Sequence, residues 1–104
     1  MAITSALVYR GTLSTTTTTT LYTASSNTIV TNIALTNITS SAATATIGLG
    51  NGGTQYSILS AVPVPGNSTV FFDLKQYVAS GQTVNGGAGT SSAISAHISG
   101  VTGV

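Results

Sequence analysis

Apolar side chains in this chain recur at every second position, and Thr, Val, Ile and Tyr carry most of the alternation. A period of two is that of a strand, whose successive side chains point to opposite faces, and β-branched and aromatic residues suit that pleated surface. Clusters of Gly, Asn and Ser interrupt the pattern as turn signals. The first strand is predicted over residues 3–10, with Ile3, Leu7 and Tyr9 on one face and Arg10 on the other. Six consecutive threonines at positions 15–20, leading into Leu21 and Tyr22, predict the second. A glycosylated stalk would mix in proline and a flexible linker would favour Gly and Ser, whereas a run of β-branched residues extends over about 20 Å as a strand. An ice-binding array would need threonines on several successive strands, and this run occupies one.

"NTIVTNIALTNIT" predicts a third strand with Ile29, Ile33 and Leu35 on one face and Val30, Ala34 and Ile38 on the opposite one. Both faces are partly apolar, so the second is covered by the same chain or by a partner. "ATATIGLGNGGTQYSIL" reads as a hairpin that turns at "GNGG", with Ala43, Ala45, Ile47 and Leu49 alternating on the way out. Tyr56, Ile58, Val62 and Val64 share a face on the way back, and Pro63 and Pro65 end that strand or confine it to an edge. "NSTVFFDL" sets Val70, Phe72 and Leu74 against Thr69, Phe71 and Asp73. "LKQYVASGQTV" reads as a turn or helical kink before a small strand, and "NGGAG" as a glycine-rich loop. "SSAISAHISGV" closes the chain with Ile94, Ala96 and Ile98 inward and Ser95, His97 and Ser99 outward.

These elements predict an all-β fold, an antiparallel β-sandwich of about seven to eight short strands, jelly-roll or immunoglobulin-like in connectivity. Residues 1–104 form a single domain, with residues 1–20 an extended arm or an edge strand. The expected core is Ile33, Leu35, Ile47, Leu49, Ile58, Val70, Phe72, Ile94 and Ile98.

Charge changes the picture most. Arg10, Lys75 and Asp73 are the only formally charged side chains of the 104 residues, for a net charge of +1, while 41 % of the chain is hydrophobic. Two basic residues cannot neutralise the several phosphates that nucleic-acid binding requires, nor form a polybasic membrane patch. A surface so poor in charge also lacks the usual protection of sheet edges, which predicts a homo-oligomer, with Val30, Ala34, Ile38 and Phe71 as its interface residues. The chain contains no cysteine, no apolar run long enough for a membrane span, and no signal-peptide pattern at its start, so neither disulfides nor secretion is expected.

Conventional chemistry is sparse. His97, Asp73 and a serine could nominally form a triad, yet no serine sits in a nucleophile-elbow motif. One His and one carboxylate are too few for a zinc site, and "GLGNGG" lacks the lysine of a phosphate loop. No catalytic residue, cofactor or metal is therefore expected. "NIT" at Asn37 and "NST" at Asn67 match the N-glycosylation pattern without a secretory context.

From "LYTASSNTIVTNIALTNITSSAATATIGL" onward the sequence resembles small structural proteins of tailed-phage virions, in which an "LYT" and "NT" stretch leads into an alternating strand ending in Asn, a Ser/Ala/Thr turn and another alternating strand. "YVASGQTVNGG" is similar to a turn of that family and "ISAHISGV" to its closing strand, so the resemblance covers residues 13–101. Ser25 and Ser26 stand where a proline-containing loop is usual, and Gln82 where an aspartate is usual. The resemblance implies a virion structural protein without catalytic residues: a head decoration (cement) protein, or alternatively a tail or fibre module that binds a receptor or glycan. Implied partners are the chain itself, as a trimer at a threefold shell position, and a major capsid protein or another virion protein. The implied location is the virion, on the head surface.

Overall fold

The structure, a computed structural model, describes residues 3–51 and 53–104. Among the described residues eight strands follow one another: β1 (Thr4–Thr12), β2 (Thr20–Thr23), β3 (Thr28–Asn37), β4 (Ala43–Asn51), β5 (Thr54–Val64), β6 (Thr69–Val78), β7 (Thr83–Ala88) and β8 (Ile94–Thr102). They form two four-stranded sheets, ordered β1-β8-β3-β6 and β2-β7-β4-β5, and every pairing is antiparallel. Strand β1 lies beside β8, β2 beside β7, β3 beside β6 and β4 beside β5. That is a ribbon of the first four strands paired with the last four and rolled into two layers, the jelly-roll connectivity, which decides between the two expected topologies.

The core between the sheets contains Val8, Leu13, Val30, Ile33, Leu35, Ile47, Val64, Val78, Val84, Ile94 and Ile98, all buried. Of the predicted core residues Ile33, Leu35, Ile47, Ile94 and Ile98 are fully enclosed, while Leu49, Ile58, Val70 and Phe72 pack against it half-buried. Ile58, Val70 and Phe72 belong to β5 and β6, the outer strands of the two sheets on one side, where the seam of the sandwich is less covered.

Bulges account for two corrections. In β1, Leu7 opposes Ser99 while Tyr9 opposes Ile98, which leaves Val8 as an extra residue. Val8 is therefore buried, and Leu7, expected on one face with Tyr9 and opposite Arg10, is exposed on the same face as Arg10 while Tyr9 packs against the core. In β3, Val30 opposes Gly100 and Asn32 opposes Ser99, with Thr31 extra. The alternation inverts there, so Val30, expected on the outer face as an interface residue, is 1 % exposed inside the core.

Further corrections concern which segments form strands. Only Thr20 of the threonine run lies in a strand, β2; the chain before it turns, with the Thr19 amide donating to the Thr16 carbonyl at 3.2 Å and the Thr19 hydroxyl to the same oxygen at 2.8 Å. "NGGAG", expected as a loop, supplies most of β7, and this buried strand needs glycine because another backbone crosses it. A Cβ at Gly87 would stand 2.5 Å from the Thr16 carbonyl oxygen and 2.8 Å from the Thr17 Cα. "LKQYV", expected as a turn or kink, continues β6, and the turn follows over residues 79–82, closed by the Gln82 amide donating to the Ala79 carbonyl at 2.9 Å. The hairpin between β4 and β5 turns between Asn51 and Thr54, with Gly53 at φ 89°; Gly52 of the predicted "GNGG" turn lies outside the described residues. Strand β5 ends at Val64 on a sheet edge, as Pro63 and Pro65 require.

Candidate functional site

Strand register lays the outward side chains of the first sheet in rows. One row runs Arg10, His97, Ala34, Phe71 across β1, β8, β3 and β6; the next runs Leu7, Ser99, Asn32, Asp73; on the other side lies Thr12, Ser95, Thr36, Thr69. Side chains within a row bond across the strands. The Arg10 Nε–H donates to His97 Nδ1 at 3.2 Å, Asn32 Nδ2–H to Asp73 Oδ1 at 3.1 Å, and the Thr36 and Thr69 hydroxyls share a hydrogen bond of 2.8 Å. Exposure along β6 alternates strictly, so Phe71, Asp73, Lys75 and Tyr77 all point outward.

This face therefore holds every charged side chain of the protein, its histidine, and exposed Leu7, Phe71 and Tyr77 at 57 %, 69 % and 55 %. Apolar side chains left this open on one face, with so few charges among them, suit a contact surface. Of the four residues expected at an interface, the structure brings Ala34 and Phe71 together as cross-strand partners. Ile38 is 60 % exposed but lies past the end of β3, where its amide donates to the Ala93 carbonyl at 2.9 Å. Val30 is inside. Sequence reasoning missed Lys75 and Tyr77, because the turn signals after them masked the period-two alternation that runs on to Val78.

The second sheet presents a neutral outer face. There the threonine segment folds back over β7: Gln55 Nε2–H donates to the Thr17 carbonyl at 3.0 Å and Asn85 Nδ2–H to the Thr18 carbonyl at 3.1 Å. The Gly86 amide donates to the Thr19 carbonyl and the Ala88 amide to that of Ser14, so the ladder beside β7 resumes after the chain between them has looped out. Thr18, Thr20, Gly50, Thr54, Gln55, Thr83 and Asn85 line a trough of about 470 Å³ beside this loop. Among the described residues its lining offers hydroxyls and amides but no aromatic ring and no charge. Gln55 Oε1 is buried there without a hydrogen-bond partner among the described residues.

His97 and Asp73 stand on β8 and β6 with β3 between them, and their hydrogen bonds go to Arg10 and Asn32 rather than to a serine. Among the described residues no three His, Cys, Asp or Glu side chains gather where they could hold a metal ion. Asn37 of "NIT" is fully buried in a hydrogen-bond network, whereas Asn67 of "NST" is exposed in a turn. No family model, curated protein or solved structure shows significant similarity to this chain.

Proposed function

We propose that this protein is a structural subunit of a phage virion, a head decoration (cement) protein that seats on an assembled capsid and stabilises it. One observation carries the reading: the outer face of the first sheet combines exposed Leu7, Phe71 and Tyr77 with all three charged side chains of the protein. A ligand that binds the closed shell and not its dissociated subunits stabilises the shell by mass action, and this needs contact area rather than reactive groups. The two-layer jelly roll recurs among capsid and lectin domains, so it is compatible with the reading without selecting it. The resemblance of residues 13–101 to virion proteins points the same way.

The alternative, a tail or fibre module that binds a glycan, would use the trough of the second sheet. Hydroxyls and amides suit sugar recognition, but sugar sites commonly add a stacking aromatic, and none is among the described lining residues.

The test is particle composition and occupancy. The chain is expected in purified particles in stoichiometric amount, with a Phe71→Asp variant that folds normally showing reduced occupancy. Absence of the chain from particles, or unchanged occupancy of that variant, overturns the decoration reading.

A further inference from the structure

Strand β6 is an outer strand of the first sheet, paired on one side with β3 and free of any strand on the other among the described residues. The remaining edges are protected in ways that edges usually are. Strand β1 carries a bulge at Val8, β2 is four residues long, and β5 has two register shifts, Pro63 and a positive φ at Ala61. Strand β6 is ten residues long and has neither Gly nor Pro. It carries one irregularity of its own, Leu74 and Lys75 standing opposite the single Thr31 of β3, but unlike the bulge of β1 this one leaves the inward and outward side chains alternating from Thr69 to Val78.

Its sequence is self-complementary. Around Leu74 the residues read Phe71-Phe72-Asp73-Leu74-Lys75-Gln76-Tyr77, with opposite charges one step to either side of the centre and aromatic rings three steps away. We propose that two copies of this chain join through their β6 strands, antiparallel and centred on Leu74, to form one continuous eight-stranded sheet. In that register Asp73 of each copy opposes Lys75 of the other, and Phe71 opposes Tyr77, all on the outer face. On the inner face Leu74 meets Leu74, Phe72 meets Gln76 and Val70 meets Val78.

Neighbouring registers fail on the same residues. Centring on residue 73 sets the two aspartates against each other, and centring on residue 75 sets the two lysines against each other; like charges directly opposite destabilise a pair. A slip of one residue places outward side chains of one copy against inward side chains of the other. The charge pair thus admits one pairing and blocks its neighbours.

A second observation favours the same partner. Beneath β6 the half-buried Phe72 and Leu74 line a cleft of about 210 Å³ with Ile58 and Leu59 of β5, at the less covered seam of the sandwich. A twofold axis at Leu74 brings the two seams together. The contact is isologous and closes at two copies. It deepens the assembly reading but stands on strand geometry alone, so mass in solution tests it independently of particle binding.

The experiment is sedimentation equilibrium of the full chain with charge reversals at exposed positions, each variant first shown by circular dichroism to be folded. The wild type is expected to dimerise. Asp73→Lys or Lys75→Asp alone replaces two attractive pairs by two repulsive ones and weakens the dimer by roughly ten-fold or more, while the double variant restores it. A Leu74→Cys variant, in a chain that has no other cysteine, is expected to oxidise to a covalent dimer, since opposed Cα atoms of an antiparallel pair lie about 4.5–5.5 Å apart, within disulfide reach. A Val70→Cys variant should not cross-link. A monomeric wild type, a double variant as weak as the single ones, or equal cross-linking at positions 70 and 74 overturns the pairing.

Discussion

Replacing Asn37 tests how one end of the sandwich is fastened. Asn37 ends β3, is 0 % exposed, and uses both ends of its amide. Its Nδ2 donates to the Ser41 carbonyl at 2.7 Å and the Val64 carbonyl at 3.1 Å, while its Oδ1 accepts from the Thr39 amide at 2.9 Å and the Thr39 hydroxyl at 2.7 Å. One side chain thereby ties the turn between β3 and β4 to the end of β5. In an Asn37→Ala variant the Ser41 carbonyl and the Thr39 groups, nearer the surface, can turn to water. The Val64 carbonyl, on a residue 0 % exposed, has less access to a substitute. A buried polar group left unsatisfied costs roughly 1–3 kcal/mol and a lost hydrogen bond about 1 kcal/mol, so a total near 3 kcal/mol is expected.

For a domain of this size that loss lowers Tm by about 12–24 °C. Calorimetry and urea titration of wild type and variant measure it. The Asn37→Asp variant adds a test of sign. Its carboxyl would face two carbonyl oxygens in a buried site, which raises its folded-state pKa above the unfolded value of about 3.9. The proton bound in the folded state then contributes stability below about pH 4, and that contribution is lost as pH rises through the folded pKa. The variant should therefore lose more stability relative to wild type at neutral pH than in acid. A cost below about 1 kcal/mol for the alanine variant, typical of a surface site, or a pH-independent difference for the aspartate variant, refutes the argument.

Gly87→Ala should destabilise by roughly 1–3 kcal/mol, because a methyl there meets the backbone of Thr16 and Thr17 rather than a yielding side chain; hydrogen exchange should show faster exchange at residues 14–19, and protection equal to wild type would count against the crossing. Gln55→Met removes one bond to Thr17 but also the buried, unpartnered Oε1. The two terms offset, so a stability change within about 1 kcal/mol is expected, and a loss above that in urea titration would show that the oxygen is satisfied in solution.

Period two was enough to read the layers of this fold, since alternation fixes which face of a strand is buried wherever the backbone stays regular. Ile94, Ala96 and Ile98 point inward and His97 and Ser99 outward as the pattern requires. Position 30 shows where that logic stops. Val30 and Ile33 are three residues apart and both are buried, because the bulge at Thr31 shifts the face between them. A bulge depends on how neighbouring strands are staggered, and no local residue choice near Thr31 announces it. The glycines of β7 misled for a related reason: Gly87 is required by the close approach of Thr16 and Thr17, distant in sequence, and not by a turn of its own.

Threonine propensity likewise described the conformation each residue favours, whereas strand formation also needs a partner edge. The edge that residues 14–19 meet is β7, where the Gly86 and Ala88 amides take the carbonyls of Thr19 and Ser14. Between those two bonds β7 advances by two residues and the threonine segment by five, so the surplus loops outward over Gly87. Threonine suits this loop as well as a strand, because its hydroxyl can bond a nearby carbonyl, as Thr19 does with Thr16 at 2.8 Å. The opposite holds at β6, where "LKQYV" carries few strand signals yet pairs along β3 up to Val78. Which segments become strands in this chain was therefore decided by the length of edge each one met. The outer edge of β6, which no strand among the described residues pairs, is the length of edge that the proposed second copy would use.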